Sequence, residues 1–185
     1  MSDNGGLATA EGQPTCNLPL RAGKGWLYEG GIREPMIVKW PGTVRAGSTC
    51  DEPVTSTDFY PTMLEMAGVP LKPQQHVDGQ SMVSLLKGTG GLQRKAIYWH
   101  YPHYSNQGGG PGGAVRMGDF KLIESYEDNR VELYNLRADL GEQHDLATEM
   151  PEKAAELRRM LHQWRREVDA VMPEPNPKWR SESRL

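Results

Sequence analysis

Ala114-Val115-Arg116-Met117-Gly118-Asp119-Phe120-Lys121-Leu122-Ile123-Glu124-Ser125-Tyr126 is the stretch on which the fold turns. Two short runs rich in apolar and β-branched residues flank Gly118-Asp119, the composition of a tight hairpin, so Ala114–Met117 and Phe120–Tyr126 read as paired strands. Working outward, Asp128-Asn129 supplies a second turn and Val131–Leu136 a further strand. Upstream, Ala96–Tyr101 reads as a strand, separated from the hairpin by a Gly-rich loop over residues 105–113. Downstream, Leu157, Leu161, Trp164, Val168 and Val171 recur at steps of 4, 3, 4 and 3. That is one stripe of an amphipathic helix, expected from about Pro151 to Met172, with Pro151 suited to a first helical turn. Its apolar face needs a partner, and a small antiparallel sheet covered by this helix is the layered solution.

Residues 1–92 read differently. Met36-Ile37-Val38-Lys39-Trp40 is a short apolar run stopped by Pro41-Gly42, read as a buried strand and a turn. Ser56-Thr57-Asp58 offers N-cap chemistry for a helix carrying Phe59, Met63, Leu64 and Ala67, with Gly68 as its stop. A second short helix is expected at Ser81–Lys87, ended by Gly88. One strand and two helices are not self-sufficient, because a central strand must pair on both sides. The chain is therefore divided into 1–92, 93–172 and a tail, 173–185, whose Pro173, Pro175 and Pro177 point to disorder.

The 185 residues are 37% hydrophobic and 24% charged, with a formal net charge of −3. That balance suits a soluble domain with a core and excludes a nucleic-acid footprint built on clustered positive charge. Arg158, Arg159, Arg165 and Arg166 alternate with Glu156 and Glu167 and read as a solvated helix face. No apolar run approaches the roughly 18 residues of a transmembrane helix. Met1–Gly6 lacks the basic and apolar segments of a signal peptide. Cys16 and Cys50 fit no zinc pattern and are read either as one disulfide or as two unrelated thiols.

Asp3-Asn4-Gly5 places a carboxylate beside an amide carbonyl, hard oxygens suited to calcium or magnesium, although the same triplet is a common turn. In Pro19-Leu20-Arg21-Ala22-Gly23-Lys24-Gly25-Trp26-Leu27-Tyr28-Glu29-Gly30-Gly31-Ile32-Arg33-Glu34-Pro35, Lys24 lies between two glycines. A lysine there either carries a point charge to an oxyanion or waves in solvent on a flexible loop. Phosphate-loop spacing is absent. Glu29 and Arg33, four apart, read first as a structural pair. Tyr98-Trp99-His100-Tyr101-Pro102-His103-Tyr104 gathers aromatics and histidines before the Gly-rich loop; either they border a site, or the aromatics are core and the histidines surface.

In order, Ser-Asp-Asn-Gly, Asn-x-Pro-Leu-Arg-x-Gly-Lys-Gly, Glu-Gly-Gly-Ile-Arg-x-Pro, Trp-Pro-Gly, Asp78-Gly79-Gln80-Ser81, Arg116–Leu122 and Glu132–Leu136 with Asp139-Leu140-Gly141-Glu142 resemble the sulfatase family of the alkaline-phosphatase-like superfamily. The resemblance covers residues 2 to about 170. It implies an α/β fold: 1–92 as the C-terminal edge of the catalytic domain, 93–172 as the small antiparallel sheet with its covering helix. It implies that Asp3 and Asn4 are metal ligands for calcium or magnesium, that Lys24 contacts sulfate and assists catalysis, and that His100 and His103 lie near the substrate entrance. In a complete family member a formylglycine made from Cys or Ser is the nucleophile, its hydrate attacking sulfur of a sulfated sugar or aryl sulfate. The Cys/Ser-x-Pro-x-Arg motif that matures to it is absent here, as are the family's early Asp-Asp pair and upstream lysine and histidine. The expectation is an incomplete enzyme, inactive alone, whose missing N-terminal part supplies the nucleophile, in a periplasmic or secreted setting. Two other readings stand beside it: a phosphate- or phosphonate-ester hydrolase on the same fold, and a non-catalytic interaction module built on residues 96–172.

Overall fold

Gly118 adopts φ 59°, a left-handed conformation that costs glycine nothing, and the chain folds back so that Met117 faces Phe120. The hairpin so formed is the centre of a four-stranded antiparallel meander, β1 (Ile97–Tyr101), β2 (Gly112–Met117), β3 (Phe120–Ser125) and β4 (Val131–Asn135), in the order β1-β2-β3-β4. Asn129, at φ 57°, turns β3 into β4. The computed structural model describes residues 1–9 and 12–177.

The sheet is covered on both faces. Register aligns Tyr98, Val115, Leu122 and Leu133 in one row. Helix α4 (Pro151–Glu167) lays Ala154, Leu157 and Leu161 on that row, and the six buried residues other than Tyr98 form the core. Trp164 stacks on Tyr98 with ring centroids 5.0 Å apart and planes 6° from parallel. The next row, Arg116, Lys121 and Tyr134, points to the opposite face, because side chains alternate along a strand. There it meets the segment Arg21–Arg33, which contains the one-turn helix α1 (Glu29–Ile32).

α4 is shorter than its periodicity predicts. Asp169 turns to φ 50° and the Ala170 N–H donates to Arg165 O at 2.9 Å, closing the helix before Met172. Val168 and Val171 therefore leave the stripe and are 46% and 80% exposed. Residues 173–177 carry no helix or strand, and the remainder of the expected tail, 178–185, lies outside the described residues.

The chain forms two compact units, one of Met1–Pro35 with the chain from Ala96 onward, the other Met36–Lys95. The first unit joins residues from both the 1–92 and the 93–172 segments, and within it the loop carrying Lys24 is bonded to the sheet. In the second unit a short 3₁₀ turn (Ser56–Asp58) leads into α2 (Phe59–Met66), and α3 spans Val83–Lys87. Thr55 caps the 3₁₀ turn, with Asp58 closing a capping box on it, and Asp58 is in turn the N-cap residue of α2, within the expected Ser56-Thr57-Asp58. Asp58 is buried, accepts the Thr55 and Gln80 N–H groups at 2.8 Å each and pairs with Arg94. The expected strand at Met36–Trp40 is not found: among the described residues no strand pairs with it, and Ile37 is 91% exposed. Apolar composition cannot make a strand without a backbone partner, and the described residues of this unit offer none.

Candidate active site

The first unit gathers three segments that the chain order keeps apart. The Lys24 N–H donates to Gly6 O at 3.1 Å, and the Asn17 amide donates to both Gly6 O and Ala22 O at 2.8 and 2.9 Å. Gly23 is required at this crossing, because a Cβ there would lie 2.2 Å from Gly6 O. On the other side the Ser2 N–H donates to Pro35 O at 3.3 Å. Asp3-Asn4 is thus held between the Lys24 loop and Glu34-Pro35. The Gly-rich loop closes a third side, with Gln107 O accepting from Trp26 Nε1 at 3.0 Å and from Thr9 Oγ1 at 2.9 Å.

The oxygen donors fit a hard divalent cation. Asn4 Nδ2 donates to the exposed Asp3 carboxylate at 2.7 Å, which leaves the Asn4 carbonyl oxygen for a metal. Glu34 adds a buried Oε1 with no hydrogen-bond partner. Burial, then the neighbouring Asp3 charge, pushes the Glu34 carboxyl above its ordinary range. A carboxylate oxygen without a donor, beside a second carboxylate, is an arrangement that a cation relieves. Asp3 and Asn4 do not complete a cage: among the described residues no cluster of three or more His, Cys, Asp or Glu is assembled for a metal.

The loop bearing Lys24 is tied to the sheet at both flanks. Arg21 Nη1 donates to Tyr134 Oη at 2.9 Å and to Glu142 O at 2.7 Å, and its guanidinium lies 3.8 Å from the Tyr28 ring centre. Tyr28 and Tyr134 both donate to Glu132 Oε2, at 2.8 and 2.7 Å. Burial and then that bond push the Tyr28 hydroxyl up to about 12, so it remains a donor at neutral pH. Lys121 Nζ sits 2.9 Å from both Glu29 Oε1 and Glu142 Oε1, while Glu142 Oε2 accepts the Glu29 N–H at 2.6 Å. Lys121, Glu29 and Glu142 are 0%, 2% and 0% exposed. Arg33 pairs with Glu29 Oε2 at 3.7 Å, the structural pairing that their spacing suggested.

The two candidate histidines are placed differently. His100 lies two positions along β1 from Tyr98 and therefore on the same face of the sheet, the one α4 covers, opposite the Lys24 loop. Its Nδ1 meets Tyr126 Oη at 2.7 Å and its Nε2 meets Val171 O at 2.8 Å. A carbonyl can only accept, so Nε2 carries the proton and Tyr126 donates to Nδ1. His103 is exposed and packs edge-on against Tyr101 with centroids 5.4 Å apart. It stands two residues before Ser105, where the Gly-rich loop turns toward Gly25. Cys16 and Cys50 are both free thiols.

Residues 22–169 match the family model for the C-terminal region of N-sulphoglucosamine sulphohydrolase. The chain belongs to the sulfatase family. A sulfatase of Formosa agariphila is 38% identical over 178 residues, 88% of this chain and 32% of that protein. Human arylsulfatase A is 40% identical over 120 residues, 65% of this chain and 23% of that one. The solved structure of Ps i-CgsB in complex with k-i-k-neocarrahexaose superposes with a TM-score of 0.72 at 31% identity, covering 88% of this chain and 34% of that one. BT4656 in complex with its substrate D-glucosamine-2-N,6-O-disulfate gives a TM-score of 0.67 at 30% identity, over 83% and 32%. The chain thus spans about a quarter to a third of the length of these sulfatases. The α/β class and the sheet with its C-terminal helix are those of the sulfatase C-terminal region.

Lys121 and Glu142 lie inside the motifs Arg116–Leu122 and Asp139–Glu142, and Glu34 inside the stretch Pro19–Pro35, but nothing in those patterns assigns them a role. Only the folded chain shows that Lys121 and Glu142 are buried and that one oxygen of the half-buried Glu34 is shielded from solvent.

Proposed function

We propose that the chain forms one wall of the active centre of a sulfatase that hydrolyses sulfate esters of sugars. The observation that carries this reading is the backbone bond from Lys24 to Gly6. It brings the backbone of the Lys24 loop to the segment that bears Asp3 and Asn4, which supports a reading in which Lys24 serves an oxyanion and Asp3 and Asn4 a cation in one site. Asp3 and Asn4 would hold calcium or magnesium, which when bound neutralises charge on the sulfate oxygens. Lys24 would bring its ammonium to the ester oxygen, where its attraction grows as negative charge develops in the transition state. The nucleophile, a formylglycine, would come from sequence that this chain does not contain. The sulfated sugar bound by BT4656 is the support for that substrate class.

The test joins this chain to the N-terminal two thirds of the Formosa agariphila sulfatase, in place of the matching C-terminal third, with the nucleophile matured. Lys24→Ala should lower kcat for an aryl sulfate by about 10²–10³, the loss typical of one preorganised donor, while the melting temperature is held. Lys24→Arg should restore it only in part, since a forked guanidinium is not a point charge. Near-normal kcat in Lys24→Ala would return this lysine to the status of a surface-loop residue.

A further inference from the structure

We propose that Lys121 is a positioning residue which, through Glu29 and Glu142, fixes the backbone that presents Lys24. The inference rests on the role proposed above for Lys24. Lys121 is the second residue of β3, one of the two inner strands, and reaches Glu29 and Glu142 at 2.9 Å each. Glu29 begins α1, five residues beyond Lys24, and Glu142 holds the Glu29 N–H as well. Three residues before Lys24, Arg21 is bonded to Tyr134 of β4 and to the Glu142 carbonyl. The Gly30 N–H donates to Arg21 O at 2.8 Å and closes the loop at its base. Lys24 is therefore carried on a loop whose base is bolted to β3 and β4 and to the turn at Glu142.

A buried lysine between two carboxylates is a costly way to fill space. Apolar residues of similar volume often stabilise a core as well or better, so stability alone does not call for this choice. What the triad adds over an apolar filler is direction: one ammonium satisfied by two oxygens at one distance defines where α1 sits relative to the sheet. The opposite face of the same strands is already closed by Leu157 and Leu161, so the core of the unit does not depend on the triad. In a site where a shift of about 1 Å can cost on the order of 10²-fold in rate, a rigid base under Lys24 is a catalytic asset even though Lys121 touches no substrate.

The test compares the near-isosteric neutral triple variant Glu29→Gln/Lys121→Met/Glu142→Gln with Leu157→Ala, which damages the other face. In the full chain, amide exchange should rise about tenfold or more across residues 21–31 in the triple variant, with the strands 112–135 still protected. Leu157→Ala should lower the melting temperature and leave the loop's protection, measured well below melting, in place. In the joined enzyme described above, the triple variant should lose about 10–100-fold in kcat with KM within about twofold, the split expected of misplacement rather than lost binding. Unchanged exchange over 21–31 in the folded triple variant would overturn the positioning role. An unchanged kcat in Lys24→Ala would instead remove the catalytic meaning of Lys24, and with it the catalytic half of this proposal, while the exchange result judges the positioning half by itself. Should the triple variant fail to fold, Glu142→Gln alone, which keeps the Lys121–Glu29 pair, is read by the same two measurements.

Discussion

Lys121 and Glu124 stand three residues apart on β3, both charged, both buried, and on opposite faces of the sheet. Lys121 faces the Lys24 loop. Glu124 faces α4, where Arg158 Nε, His162 Nε2 and Arg165 Nη2 approach it at 2.7, 2.9 and 2.8 Å. Removing Lys121 alone, as Lys121→Met, leaves two carboxylates buried without their cation and should destabilise the chain by about 3–5 kcal/mol in urea titration. A loss under about 1 kcal/mol would mean that water reaches the triad. The two carboxylates differ in sign with pH. Burial alone would raise the Glu124 carboxyl, but His162, Arg158 and Arg165 outweigh it and hold it below its ordinary value of 4.5. Its contribution is therefore complete above 4.5 and is lost as pH falls through the lower folded value. Burial raises the Glu142 carboxyl despite Lys121, so acid strengthens rather than weakens its contribution down to about 4.5. Glu124→Gln should flatten the stability loss below pH 4.5 in pH-dependent melting, and Glu142→Gln should leave that acid limb in place. An acid limb unchanged in Glu124→Gln would show that other groups set it.

At the scale of elements, α4 is held by two kinds of contact along its length. One stripe buries Ala154, Leu157 and Leu161, and the stripe beside it pairs Arg158, His162 and Arg165 with one carboxylate on β3. Leu161→Ala should cost about 2–5 kcal/mol, as expected where a fully buried leucine is cut back. Trp164 is only partly buried, stacked on Tyr98 at the edge of the core, so Trp164→Ala should cost about 2–3 kcal/mol rather than the roughly 3–5 of an enclosed tryptophan. Val168→Ser and Val171→Ser should stay within about 0.5 kcal/mol, since neither side chain lies on the helix stripe. Thermal melts of the four variants check the order, and a large effect of Val171→Ser would show that the segment after Asp169 packs more firmly than its exposure implies.

At the scale of the molecule, the chain carries no Cys/Ser-x-Pro-x-Arg motif and matches about a quarter to a third of the length of its relatives. Calcium commonly takes 6–8 oxygens, whereas Asp3 and Asn4 bring two side chains and Glu34 one more. The chain by itself should therefore bind calcium weakly, and an aryl sulfate with calcium present should show no turnover above a Lys24→Ala control. Tight calcium binding by calorimetry, or turnover lost in that control, would show that a working site assembles from this chain alone.

The sequence by itself determined the meander and its covering helix, because turn residues at Gly118 and Asn129 and a 3.6-residue stripe are local signals that need no knowledge of distant contacts. Its motifs, by their order along the chain, also singled out Asp3, Asn4 and Lys24 as candidates, and the fold bonds the backbone of the segments that carry them. Three things were decided only in three dimensions. Met36–Trp40 has the composition of a strand, but a strand exists only where another backbone pairs with it. The helix ends at Glu167 although its apolar spacing runs on to Val171, because the turn at Asp169 closes it. That Lys121, Glu29 and Glu142 are buried together shows only once the second face of the sheet is seen to be covered. Burial of a charge depends on which distant residue arrives to neutralise it, and no local pattern in the chain records that arrival.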